Sequence, residues 1–413
     1  MPRKTAPAST RRAKSRMGRP GVSKPARTSN RPPTKLPEHA APAPTIPVRT
    51  SNRPPTKLPE QAAPATTIPP DSAPDPFEQL YARGVTDGLP VVPPTRERVQ
   101  RAIDASGRSA DELIGLVPPN FGRATVEKIA INAVMAGCRP EYLPVVIAAV
   151  EAVCDDKFDL HGVSATTNAP APLVIVNGPI RHALDINCGA GLFGPGWRAN
   201  ATIGRALRLV CVNIGGAIPG VVSMSTFAHP GRYTYCIGER EEVSPWESLA
   251  VEHGFAPTDD TVALLAADAP LTIFDQRSRT APDLCATIAA SMAVLEHHKM
   301  THWGDTLLVL SPEHATIIGG DGWRKADVRR FLFERLQRPV CELVPGRNGG
   351  DGLPEHVLRK FADPDHDQTL IPKFRAPEHI KIIVAGGSAG RFSAVVAGWS
   401  FSKGSNLVMR RIR

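Results

Sequence analysis

Three short apolar runs limit what this chain can fold into: "APLVIVNG" (171–178), "TLLVLS" (306–311) and "IKIIVAGG" (380–387). Each lacks polar alternation and ends in Gly or Ser, the pattern of a strand covered on both faces. Segments of helical spacing lie between and before them. Thr95 is placed to cap a short helix over 96–105 that stops at Gly107. Ser109 and Glu112 form a capping-box pattern. Val126, Ile129, Ala130, Ala133 and Val134 repeat at helical spacing up to Gly137, and Pro140 suits the first turn of a helix running to about Val153. Residues 200–213, 282–298 and 325–336 read as helices, and 232–237, 261–266 and 271–274 as further strands. This alternation predicts an α/β (or α+β) fold, a mixed sheet with flanking helices. The globular core spans 75–413, as one large domain or two interleaved lobes dividing near 255–305.

Residues 1–74 are of another kind. "RTSNRPPTKLPEHAAPAPTIP" (27–47) recurs at 49–69 with only His39/Gln61 and Pro44/Thr66 changed, a period of 22. Fifteen of the 42 prolines fall in the first 69 residues, and no aromatic does. Such a segment cannot bury enough apolar surface to offset the entropy of ordering, so a disordered tail is expected. It carries 14 Lys or Arg against Glu38 and Glu60, leaving 35 basic and 38 acidic residues in 70–413. The net charge of +9 therefore belongs to the tail. Weak nucleic-acid or acidic-surface contact is expected of residues 1–69 alone, beside the plainer reading of a solubilising extension.

The seven cysteines show no CxxC pair, which argues against a disulfide framework and favours a reducing, cytoplasmic setting. No apolar run reaches about 18 residues, so no membrane span is expected. A homo-oligomer stays open.

The candidate site centres on "NCGAGLFGPGWRANATIGRALRL" (187–209). Gly189, Gly191 and Gly194 satisfy G-x-G-x-x-G, but no strand immediately precedes them and no acid follows at the required distance, which disfavours a dinucleotide. Glycines also let backbone N–H groups converge, and a helix opening near Asn200 adds its positive end. The expected ligand is a small anion held by Gly189, Gly191, Gly194, Gly196, Arg198, Asn200, Thr202 and Arg205, while Arg208 suits a structural pairing. Cys188, beside the loop, would there be favoured as a thiolate.

Acid–base candidates sit near predicted strand ends: Glu313 and His314 in "SPEHA", His161 in "HGVSATTN", and Glu239, Glu241 or Glu242 in "CIGEREE". Lys325 and Asp327 suit a solvated helix face. No cofactor is expected. A divalent metal stays open because His298 and His302, four apart with Glu296 or His297, would share a helix face.

"DGLPVVPPT" (87–95), "TVEKIAINAVMAGCRPEYLPVV" (125–146), "GPGWRANATIGRALRL" (194–209), "SPEHA" (311–315) and "GWRKADVRRFL" (322–332) resemble the bacterial UGSC (seleno)protein-like family. The likeness covers most of 75–413 and none of the tail. The family's Sec-Gly-Ser-Cys motif implies redox or nucleophilic chalcogen chemistry. Its nearest counterpart here is "GGSA" (386–389), where Gly386 and Ala389 replace both reactive positions and Ser388 remains. The thioredoxin-like chemistry is therefore not carried over. The expectation is an enzyme of lyase or hydrolase type, using non-redox acid–base chemistry on a small anionic metabolite. The alternatives are a binding protein working through its tail, and thiol redox chemistry at Cys188.

Overall fold

A computed structural model of the chain describes residues 75–299, 301–302, 304–347, 349–361, 368–399 and 406–413. The repeat-bearing tail expected at 1–74 lies outside the described residues. In chain order the strands are β1 (Leu113–Val117), β2 (Gly122–Thr125), β3 (Ala171–Asn177), β4 (Cys236–Gly238), β5 (Thr261–Ala267) and β6 (Leu271–Phe274). They continue as β7 (Thr306–Leu310), β8 (Gln337–Pro339), β9 (Leu370–Pro372), β10 (Ile380–Val384), β11 (Phe392–Val396) and β12 (Val408–Arg411).

Eight of these strands form two mixed sheets, ordered β12-β5-β3-β4 and β10-β7-β11-β6. Their inner faces meet: Leu173 and Ile175 of β3 and Leu265 of β5 share one core with Leu307 and Val309 of β7 and Ile383 of β10. The alternate residues face outward to helices, as the period of two requires. Val174, Val176 and Leu264 pack on the helices Val126–Ala136, Leu143–Val153 and Arg198–Asn213. Leu308, Leu310 and Ile382 pack on Ala281–Met292, Pro312–Gly320 and Lys325–Arg335. The α/β fold is thus four-layered, helix on sheet on sheet on helix. Coverage on both faces explains why the central runs carry no polar alternation.

Each sheet repeats one plan. Two parallel strands (β3 with β4, β7 with β10) are joined through helices, and an antiparallel strand (β5, β11) lies against the first of them. The fourth strand is exchanged. β6 follows β5 in the chain but pairs with β11, and β12 follows β11 but pairs with β5. The two crossing segments touch where Ala267 bridges Gly398 and the Trp399 amide donates to the Ala266 carbonyl at 2.8 Å.

Several local expectations need correction. Ser109 and Glu112 open no helix; the Ser109 hydroxyl binds Asp111 and the chain enters β1. The helix read over 282–298 ends at Met292, and Glu296 has a left-handed φ of 58°. That removes the helix face His298 and His302 were to share. Lys325 lies on no solvated face: it is 2 % exposed.

Candidate functional site

The carboxyl ends of the parallel pairs come together, and the segments leaving them build a cleft of about 380 Å³. Brief backbone ties fix its walls. The Gly238 amide donates to the Asn187 carbonyl at 3.0 Å, the Arg240 amide to Val384 at 2.7 Å, and the Gly386 amide to Cys188 at 2.9 Å. The segment after β3 thereby lies against the segments after β4 and β10. Arg181, His182, Asn187, Cys188, Gly189 and Trp197 line one side. Arg240, Gly387 and Ser388 line the other. Ligand sites of α/β folds commonly occupy this position, outside the carboxyl ends of strands.

The glycine loop adopts the backbone its residues imply. Gly191, Gly194 and Gly196 have φ of 68°, 101° and 126°, the region where a side chain is disfavoured. Only Gly189 of the four borders the cleft, and its amide is already engaged, donating to Asn187 Oδ1 at 2.8 Å.

The arginines divide differently from the sequence expectation. Arg198 points both Nε and Nη2 at the Gly137 carbonyl, at 3.0 and 2.9 Å. Arg205 forks onto Asp87 at 2.8 and 2.7 Å. Asn200 is buried, clasping both backbone groups of Asn187 and the Cys236 carbonyl. Thr202 bonds back to the Arg198 carbonyl one turn earlier. None of these four lines the cleft. Arg208 is buried, and its Nε donates to the Arg232 carbonyl.

The cleft's own cations are Arg181 and Arg240. Arg181 is buried, with Nε on the Gly178 carbonyl at 3.0 Å, Nη1 on the Glu239 carbonyl, and Glu241 and Glu242 at 3.2 and 3.3 Å. It is a framework cation. Arg240 is more open: Nη1 meets Ser388 Oγ at 2.7 Å and Nε stands 3.7 Å from Glu242. A guanidinium held this way keeps donors for a planar anion. His182 is largely exposed at the rim, its Nε2 4.0 Å from Glu242.

Cys188 differs from expectation. Burial pushes its thiol up and Glu242 adds to this, while Arg181, whose Nη1 stands 3.8 Å from Sγ, and Arg240 pull the other way. The net direction is upward, so the neutral thiol dominates at pH 7. The acid–base residues predicted in the second half fare worse. His314 is 0 % exposed, with Nδ1 2.7 Å from Ser393 Oγ and Nε2 3.0 Å from the Asp275 carbonyl. Its strand-end position is as expected, but the ring turns into the core and cannot reach a substrate. Glu313 sits 3.6 Å from Arg391, and His161 lies exposed on the helix Leu160–Ala165; neither lines the cleft. His298 stacks on His297 with centroids 4.5 Å apart, whereas His302 is buried 3.2 Å from Glu296. Among the described residues no group of three or more His, Cys, Asp or Glu is arranged to hold a metal.

Beneath the cleft Glu239 is fully buried. Its Oε2 accepts from Asn177 Nδ2 at 2.6 Å and from the Leu249 amide at 2.8 Å. Burial raises its carboxyl from 4.5 to about 7, against the pull of Lys325, Asn177 and the Leu249 amide. Between those two values the unfolded chain releases a proton the native chain keeps, so this group's contribution falls as pH rises and is level above about 7. Glu239→Gln removes that titration. Relative to wild type, the variant's Tm is expected to be higher at pH 8 than at pH 5; a difference that does not change with pH would contradict the assignment.

Arg240 and Ser388 were absent from the sequence-derived site. The signal was present in that both "CIGER" and "AGGSA" continue apolar runs into polar residues. What the sequence lacked was the pairing of two sheets that sets them face to face. Compared with known proteins, the chain matches no family model, no curated protein and no solved structure.

Proposed function

We propose that the cleft binds a small anionic molecule and that the chain is an enzyme of lyase or hydrolase type, working by non-redox acid–base chemistry. One observation carries this reading: Arg240, steadied by Ser388, presents its guanidinium to a cleft at the carboxyl ends of both parallel strand pairs. Arg240 anchors the anion, and His182 at the rim, its Nε2 4.0 Å from Glu242, moves the proton. The neutral Cys188 thiol lends a polarisable wall. The family resemblance supports the placement, because Gly387 and Ser388 of the "GGSA" segment line this same cleft. With Gly386 and Ala389 at the positions the family uses for selenium and sulfur, the supported chemistry is proton transfer rather than electron transfer.

The test is a thermal-shift screen of the full chain against small carboxylates, phosphates and sulfonates. One anion class is expected to raise Tm, since a native-state ligand at about 100 times its Kd stabilises by roughly 2.7 kcal/mol. Arg240→Ala should cost about 1.5–3 kcal/mol of that binding, roughly tenfold or more in Kd. Arg205→Ala, whose guanidinium is taken up by Asp87 and borders neither cavity, should leave that affinity unchanged. A flat screen, or full affinity in Arg240→Ala, would sink the proposal.

A further inference from the structure

Away from the cleft, a second cavity of about 160 Å³ opens between the helix Arg96–Ser106, the turn after the helix Val126–Ala136, and the start of Arg198–Asn213. It shares no residue with the cleft. Four arginines border it, Arg98, Arg101, Arg139 and Arg198, all exposed to solvent at its rim, and no acidic residue does. Two of them are fixed by neutral carbonyls: Arg198 on Gly137, and Arg98 Nη1 on Pro93 at 2.9 Å. These bonds orient the charges without neutralising them. Arg101 and Arg139 form no ion pair among the described residues. The remainder of the wall is apolar, including Val92, Ala102 and Leu143.

Four like charges round one opening make it locally positive, screened by water because all four are exposed, and a bound anion is favoured there. Arginine forks suit the paired oxygens of a carboxylate or phosphate. The apolar floor calls for an uncharged body on the same molecule. An apolar cavity of about 150 Å³ admits benzene, which sets the scale of that body. We infer that this pocket is a second ligand site, for a small anion bearing one compact apolar group, such as an aryl or short-alkyl phosphate or carboxylate.

Calorimetric titration of the full chain with phenyl phosphate, inorganic phosphate, phenol and benzylamine tests this. Phenyl phosphate is expected to bind roughly tenfold or more tighter than phosphate or phenol, and benzylamine not at all. The double variant Arg101→Gln/Arg139→Gln should weaken phenyl phosphate roughly tenfold or more while Tm stays within about 2 °C of wild type. Arg240→Ala should leave this binding intact, which separates the pocket from the cleft. The inference is overturned by absent binding, by undiminished binding in the double variant, or by loss of binding in Arg240→Ala. Oligonucleotide binding that depends on Arg101 and Arg139 but is not displaced by phenyl phosphate would overturn it equally, assigning these arginines to nucleic acid.

Discussion

Glu252→Ala is expected to destabilise the protein by about 3–5 kcal/mol, because it leaves a buried ammonium without its counter-charge. Glu252 Oε2 stands 2.9 Å from Lys325 Nζ, and Oε1 stands 2.8 Å from Arg329 Nη1. The Lys325 side chain is 1 % exposed, so water cannot take over the role of the carboxylate. Burial opposes ionisation of Glu252, yet the hydrogen bond from Arg329 and the charge of Lys325 outweigh it and hold the carboxyl below its usual range. Such a depressed group stabilises the fold at neutral pH and ceases to do so as pH falls through its native value. Urea unfolding at pH 7 measures the effect. Adding Lys325→Met to Glu252→Ala should recover part of the loss, since an apolar side chain tolerates that site better than an unpaired cation. A single-variant loss below about 1 kcal/mol would place the pair among weak surface contacts instead. The triad matters to architecture because Glu252 precedes β5 while Lys325 and Arg329 follow β7. It clamps one half of the repeated plan to the other.

Gly398→Ala is expected to be comparably damaging for a steric reason. A Cβ there would lie 1.9 Å from the Asp305 carbonyl oxygen and 3.1 Å from its carbon. Both are backbone atoms and neither can swing aside. The cost should reach about 3 kcal/mol or more, the upper end of overpacking. By contrast Gly194 has open space around its Cβ position, and there alanine meets only the strain of a φ of 101°. Thermal unfolding of both variants separates crowding from strain: Gly398→Ala should lower Tm several times as far as Gly194→Ala. Equal shifts would remove the crowding argument.

Much of the fold is legible in the sequence. β3, β7 and β10 were legible because burial on both faces leaves an unbroken apolar run. β12 was not, since "VMRR" is an edge strand with two arginines and carries no such run. The strand expected at 232–237 lies at Cys236–Gly238, because residues Pro230–Arg232 instead make a short 3-10 turn capped by His229. The end of the helix at Met292 was hidden because Ala293, Val294 and Leu295 continue the apolar pattern past the point where the backbone turns. At the site, the glycine loop was legible from composition, and its neighbours were not. Arg198 and Arg205 are near the loop in sequence but turn to Gly137 and Asp87, whereas Arg240 and Ser388 are distant in sequence and face it across the cleft. Spacing along one element reveals periodicity; it cannot reveal which strand ends two packed sheets bring together.

The exchanged strands bear on how the protein is made. During synthesis, β5 emerges long before β12, so the first sheet must wait with an open edge while well over a hundred further residues leave the ribosome. A chain halted between β6 and β7 would carry β6 with no β11 to receive it. Two fragments cut in that interval should each remain unfinished alone and assemble only when mixed. In a crowded solution the same open edges could accept the corresponding strands of another copy, giving an intertwined dimer built from the contacts already present in one chain.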